Sequence, residues 1–101
     1  MSIARTTADL TAENSFSDPI RLTGRFNFLL TGSFSATARL QRSFEDPAGT
    51  PAWHDVGDAF GNTAYSGPVA FVGDEPEGAW YRFGVEAGDY TSGTIVGRLS
   101  Q

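Results

Sequence analysis

The sequence contains no cysteine, no lysine and a single histidine, His54. Without cysteine, the chain has no disulfide, no thiolate nucleophile and no sulfur ligand for zinc. Without lysine, it has no amine for Schiff-base chemistry and no lysine to bind the phosphates of a nucleotide. These absences predict a protein that is not an enzyme, and we expect neither a cofactor nor a metal ion.

Positive charge and long apolar runs are also scarce. Seven arginines face twelve acidic residues, and the net charge of −5 argues against nucleic acid as the partner. No apolar run reaches the roughly 20 residues of a membrane span, and the first residues do not resemble a signal peptide. We therefore expect a protein without a membrane partner, made in the cytoplasm without a signal peptide. A length of 101 residues suits one domain.

Strict alternation of apolar and polar residues is the clearest structural signal in the sequence. In residues 25–31 and 33–44, alternate positions are apolar, which is typical of an antiparallel sheet with one face in the core. Turn residues separate the runs, including the stretches Gly73–Gly78 and Gly88–Gly93, at the spacing found in β-sandwiches. The fold predicted is all-β: a single Ig-like antiparallel β-sandwich of about seven or eight short strands. The predicted core face contains Phe26, Phe28, Phe34, Leu40, Tyr81, Phe83 and Val85.

The first residues differ from the rest because they are small and polar. We expect residues 1–13 to form an N-terminal arm or an edge strand, and residues 14–101 to form the sandwich domain. As an exposed arm, residues 1–12 are expected to be dispensable for folding. Ile3 and Arg5 are then candidates for contact with a partner.

Candidate catalytic or metal-binding groups each have a simpler interpretation. His54 precedes Asp55, but neighbouring strand residues point to opposite faces, so Asp55 is poorly placed to orient the His54 ring in a catalytic triad. We expect a solvent-facing histidine. The acidic pairs and clusters, Glu45 and Asp46 or Asp74, Glu75 and Glu77, could bind calcium, but they lie among turn residues where acidic side chains are common.

Outward-facing arginine and tryptophan residues are the candidates for a partner interface. By strand parity, Trp80 faces away from the core, and interfaces favour tryptophan and arginine; packing on the second face of the sheet is the alternative. Arg39, Arg82 and Arg98 also occupy outward positions. They suit pairing either with a partner's carboxylates or with this protein's own acidic loops. A third possibility is a sugar-binding platform formed by Trp53, Tyr65, Trp80 and Tyr90.

Three segments resemble small structural proteins of tailed-bacteriophage virions. They are RLTGRFNF from Arg21, TARLQRSF from Thr37 and YRFGVEAGDYTSGT from Tyr81, and the C-terminal GRLSQ adds to the likeness. The resemblance covers about residues 16–101. It implies an Ig-like sandwich found in the virion, of the head decoration (cement) type, whose partner is the major capsid protein or another virion protein. It allows a homo-oligomer, and the alternative is a glycan- or receptor-binding module on a phage fibre or capsid surface.

Overall fold

The computed structural model describes residues 5–49, 52–57 and 63–101, with only the backbone of Phe71. This part of the chain is all-β and contains no helix, hence none that could cross a bilayer. Its seven strands are β1 (Arg5–Leu10), β2 (Ser15–Phe16), β3 (Ile20–Thr31), β4 (Phe34–Ser43), β5 (His54–Asp55), β6 (Val69–Gly93) and β7 (Ile95–Ser100).

The strands form one antiparallel sheet in the order β1-β7-β3-β6-β4-β5, and β2 pairs separately with β6. The 25-residue strand β6 joins the two parts of this sheet. Its first half pairs with β3, from Val69 opposite Leu30 to Tyr81 opposite Ile20. Its second half pairs with β4 and β2. The sheet therefore curls into a half-barrel around one core, as in β-sandwich-like folds.

The core confirms the alternation seen in the sequence. Six of the seven predicted core residues are at most 2% exposed, and Phe34 is half-buried against the same cluster. Aromatic rings pack across the fold, with Phe28 5.9 Å from Phe83 and Phe26 4.8 Å from Tyr81 between ring centroids. The core also includes Leu10, Leu22, Leu30, Ala38, Tyr65, Ala79, Ile95 and Leu99.

The predicted turns at Gly73–Gly78 and Gly88–Gly93 are wrong, because β6 continues through both. Glycine in the left-handed region at Gly78 (φ 85°) and Gly88 (φ 85°) lets the strand bend without ending. Near Gly78 the pairing with β3 shifts register between Leu22 and Gly24, as at a β-bulge. Composition that is typical of a turn has here produced an irregularity within a strand.

Of the two expectations for the N-terminus, an edge strand is the one found for residues 5–10. Every residue from Arg5 to Leu10 pairs with β7. Leu10 is 4% exposed and belongs to the core, and Thr6 is also buried. This burial argues against the expectation that residues 1–12 are dispensable for folding, because removing them would expose apolar surface of the core.

Candidate functional site

The guanidinium of Arg82 lies between two aromatic rings on the outer face of β4 and β6. Its central carbon is 3.8 Å from the centroid of Phe16 and 4.3 Å from that of Trp53. Phe16 can lie here because it pairs with Gly84, where any Cβ would collide with the Phe16 ring. Trp53 comes from the segment just before β5. The two rings hold the planar cation in one orientation.

A hydrogen-bonded network fixes the edge of the same guanidinium. Arg82 Nε donates to Gln41 Oε1 at 2.9 Å. The amide nitrogen of Gln41 then donates to Asp55 Oδ1 at 3.2 Å and to Glu86 Oε1 at 3.3 Å. Gln41 is only 6% exposed, so its side-chain amide cannot readily rotate to exchange the positions of its oxygen and nitrogen. The position of Arg82 is thus set by stacking on its faces and by hydrogen bonding at Nε.

Arg39 forms ion pairs with the carboxylates of this network. Its Nη1 donates to Asp55 Oδ2 at 3.0 Å, and its Nε lies 3.4 Å from Glu86 Oε1 and 3.9 Å from Asp89 Oδ2. Of the two interpretations offered by the sequence, the structure therefore places Arg39 with this protein's own acidic residues. The guanidinium whose terminal nitrogens are left for a partner is that of Arg82. The three carboxylates of this network, Asp55, Glu86 and Asp89, outnumber the two arginines.

An open groove of about 780 Å³ lies over the Arg82 stack, and Asn14, His54 and Ala87 complete its walls. Within the described residues, nothing accepts a hydrogen bond from the two terminal nitrogens of Arg82. Burial lowers the pKa of Arg82, and the nearby carboxylate of Glu86 opposes this effect. Arginine remains protonated under all ordinary conditions. The groove thus presents a fixed cation with free donors in a planar arrangement.

A second polar cluster surrounds Glu75, which is 2% exposed. Its carboxylate accepts hydrogen bonds from the Tyr81 hydroxyl at 2.9 Å, from Arg42 Nη1 at 3.2 Å and from the Glu77 amide at 3.2 Å. Burial alone would raise the pKa of Glu75, but these hydrogen bonds outweigh it and the pKa lies below its usual value. Burial and the neighbouring carboxylate raise the pKa of Tyr81 to about 12.

The acidic segment around Glu75 therefore has a structural role, since the buried Glu75 carboxylate is bound to the side chains of Tyr81 and Arg42. Asp74 is exposed and lies opposite Arg25 on β3. In the ranges described, no group of three or more histidine or acidic residues is placed to hold a metal ion.

His54 is exposed on β5, as expected, and the Asp55 carboxylate is bound to Arg39 and Gln41, so the two residues do not form part of a triad.

The five predicted interface residues that lie in the described ranges do not form one surface. Arg39 and Arg82 lie on the outer face of β4 and β6, whereas Arg5 and Arg98 are exposed on β1 and β7. Trp80 is on the outer face, as parity predicts, but it is half-buried between Arg21 on β3 and Ser43 on β4. Ile3 lies outside the described residues.

The four aromatic residues considered for sugar binding are also dispersed. Tyr65 is 7% exposed and packs 6.1 Å from Phe28, so it cannot contribute to an exposed platform. The Tyr90 hydroxyl donates to the Gly93 carbonyl at 2.7 Å. Among the described residues, the large exposed aromatic is instead Phe44, which is 64% exposed next to Arg42.

Sequence reasoning missed Phe16, Gln41 and Glu86 as parts of the groove. Phe16 and Gln41 come from β2 and β4, and nothing in the local pattern links them to Arg82. Glu86 lies four residues after Arg82 on β6, so outward parity places the two on one face. The glycine opposite Phe16 was a second available signal, because small residues in strands mark close approach by another group.

Known proteins provide no independent assignment of this groove. No family model matches the chain, and no curated protein and no solved structure shows significant similarity to it. The functional inference therefore depends on the chemistry of the groove, which offers recognition of an anionic group by Arg82.

Proposed function

We propose that this protein is a non-catalytic structural protein of a tailed-bacteriophage virion, a capsid decoration protein that binds the head lattice through the Arg82 groove. The observation that supports binding is the fixed orientation of Arg82, whose terminal nitrogens are free in an open site. A planar guanidinium pairs with a carboxylate through two parallel hydrogen bonds. The proposed ligand is an acidic side chain of the major capsid protein or of another virion protein.

Preorganisation is what favours Arg82 over the other arginines as the contact. Rigid donors lose little conformational freedom on binding, so more of the interaction free energy appears as affinity. Arg39 is already bonded to Asp55, and Arg42 to Glu75. The exposed Arg98 has no partner in the described part of the chain, but it also lacks any support that fixes its side chain.

The assignment to a virion is supported by the resemblance of the segments from Arg21, Thr37 and Tyr81 to phage structural proteins. The glycan-binding alternative requires free aromatic faces, because sugars stack on flat rings. One face of Phe16 and one face of Trp53 are occupied by Arg82, and Tyr65 is buried. These contacts favour a protein partner over a sugar.

Quantitative mass spectrometry of purified particles tests the virion assignment. The proposal expects hundreds of copies per particle, located on the head. A handful of copies at the tail, or none in the particle, would overturn it.

Rebinding to particles that lack the protein tests the groove. Arg82→Lys keeps the charge but removes the planar pair of donors, so occupancy should fall about tenfold. Arg25→Lys is the matched control, because Arg25 is exposed on β3 away from the groove. Circular dichroism establishes that both variants are folded. Equal occupancy for the two variants would show that the Arg82 groove is not the contact.

A further inference from the structure

Strand β1 forms one edge of the sheet, and its outer side is unpaired within the described ranges. Edge strands are commonly protected by proline, by a bulge, by a charge pointing inward or by charged side chains along the edge. The six residues Arg5–Leu10 have none of the first three devices, and their two exposed charges, Arg5 and Asp9, have opposite signs. They pair one-to-one with β7 without a register shift. The edge is therefore regular and long enough to accept another strand.

The exposed side chains of β1 form a short pattern of opposite charges. Arg5, Thr7 and Asp9 are exposed on one face, whereas Thr6 and Leu10 are buried on the other. Neither Arg5 nor Asp9 has an ion-pair partner among the described residues. The two charges are equally spaced about Thr7, two residues before it and two residues after it.

We propose that β1 pairs with β1 of a second copy of this chain, antiparallel about a two-fold axis at Thr7. In this register Thr7 lies opposite the partner's Thr7, Arg5 lies opposite the partner's Asp9, and Asp9 lies opposite the partner's Arg5. Two cross-strand ion pairs form on the exposed face. Opposite charges directly across an antiparallel pair stabilise it, and a two-fold interface of this type closes on itself.

Competing registers lack this complementarity. Residues that lie opposite each other in an antiparallel pair point to the same face of the sheet. The register can therefore change only in ways that keep Arg5, Thr7 and Asp9 opposite residues on the exposed face of the partner's β1. Centring the axis on Arg5 or on Asp9 places like charges directly opposite each other. In the intermediate registers, each charged side chain lies either opposite Thr7 of the partner or beyond the partner's Arg5, Thr7 and Asp9. Neither arrangement forms an ion pair. The charge pattern of β1 therefore selects one register.

Sedimentation equilibrium and light scattering of the full chain over a concentration series measure the proposed dimer. Arg5→Glu alone and Asp9→Arg alone each replace both ion pairs by like-charge pairs, so each should raise the dimer dissociation constant at least about tenfold. The double variant Arg5→Glu with Asp9→Arg reverses both charges and should restore dimerisation. Both side chains are exposed, so folding is expected to be retained, and circular dichroism verifies this.

The absence of cysteine permits a direct test of register. In Thr7→Cys the two introduced thiols lie directly opposite, with Cα atoms about 5 Å apart, within the range that a disulfide can bridge. In the control Thr11→Cys, which keeps both ion pairs, the exposed thiols just after β1 are offset by eight residues, or roughly 26 Å. Under oxidised glutathione, Thr7→Cys should form a covalent dimer and Thr11→Cys should not.

Three results would overturn the proposal. They are a wild-type chain that stays monomeric up to about millimolar concentration, a dimer that is insensitive to both single charge reversals, and equal cross-linking of the Thr7→Cys and Thr11→Cys variants. Rescue by the double charge reversal supports it, since a general loss of stability could not be repaired in this way. The outcome is distinguishable from that of the proposed function, because these assays measure self-association of the protein alone and the Arg82 variants are measured on particles.

Discussion

The ring of Phe83 packs directly on the backbone of Gly97. A Cβ at position 97 would lie 2.3 Å from Phe83 Cε2, well inside van der Waals contact. Phe83 belongs to the second half of β6 and Gly97 to β7, so this contact joins the two parts of the curled sheet. The absence of a side chain at position 97 sets how closely those two parts approach.

Gly97→Ala is accordingly expected to destabilise the protein by about 1 to 3 kcal/mol, because the added methyl group displaces a fully buried ring. Urea unfolding measures the change in the free energy of unfolding. Gly67→Ala is the matched control, since a Cβ there meets no atom within 4 Å. A loss of stability as large for Gly67→Ala as for Gly97→Ala would contradict the explanation.

Leu10→Ala is expected to lower the free energy of unfolding by about 2 to 4 kcal/mol, because it deletes buried apolar volume from β1. Thr7→Ala, on the exposed face of the same strand, should change it by less than about 0.5 kcal/mol. Thermal and urea unfolding of the two variants measure the difference. If Leu10→Ala were neutral, β1 would be an arm rather than part of the domain.

Stability should also depend on Tyr81 at high pH. Its pKa rises from 10.0 to about 12 on folding because burial and Glu75 disfavour the phenolate. A raised pKa contributes stability that is complete below the unfolded value, near pH 10, and is lost as pH rises through about 12. The free energy of unfolding should therefore fall over this interval, by a few kcal/mol at most.

Tyr81→Phe separates this contribution from those of other groups. The variant should be less stable at pH 7 by about 1 to 3 kcal/mol, because Glu75 loses a buried hydrogen bond. Its difference from the wild type should shrink between pH 10 and 12. A difference that stays constant across that interval would show that Tyr81 does not titrate with the shifted pKa.

At acidic pH, stability should depend on Glu75, whose pKa shifts in the opposite direction to that of Tyr81. Its pKa is lowered on folding, so its contribution is present above the ordinary value of 4.5 and is lost as pH falls through the lower folded value. Glu75→Gln should therefore destabilise the protein at pH 7 and differ less from the wild type as the solution is acidified. Urea unfolding at a series of pH values measures the gap between the two proteins. A difference in the free energy of unfolding that grows on acidification would contradict the lowered pKa of Glu75.

The stack of Arg82 on Trp53 can be measured by a double-mutant cycle. Arg82→Gln and Trp53→Ala, combined, should show a coupling energy of about 0.5 to 2 kcal/mol in urea unfolding. The cycle of Arg25→Gln with Trp53→Ala should be additive, since the structure shows no contact between those side chains. Additivity in both cycles would mean that stacking does not hold Arg82 in place.

The parts of the fold that follow from local sequence were predicted well. Alternation identified core positions of β3 and β4, because period-two burial is visible within a few residues. It also identified Tyr81, Phe83 and Val85 in the second half of β6.

Features that depend on distant residues were missed. Gly73–Gly78 has the composition of a turn, yet Glu75 in its centre is buried by Arg42 from β4 and Tyr81. The groove was missed for the same reason, since Phe16 and Trp53 reach Arg82 only after the chain has folded. Outward parity identified Arg82 as a candidate, but it could not reveal the rings on either side.

The position of β7 between β1 and β3 also constrains the order in which the chain can fold. Strand β1 is synthesised first of the seven described strands, yet within the described residues it pairs with β7, the last of them. Until β7 is synthesised, β1 has no strand to pair with and one edge of β3 stays open. We therefore expect folding to be completed only after β7 is available and to be slow for a domain of this size, since pairing between distant segments dominates the barrier. During synthesis, we expect a chaperone to bind most strongly at β1 and at the open edge of β3.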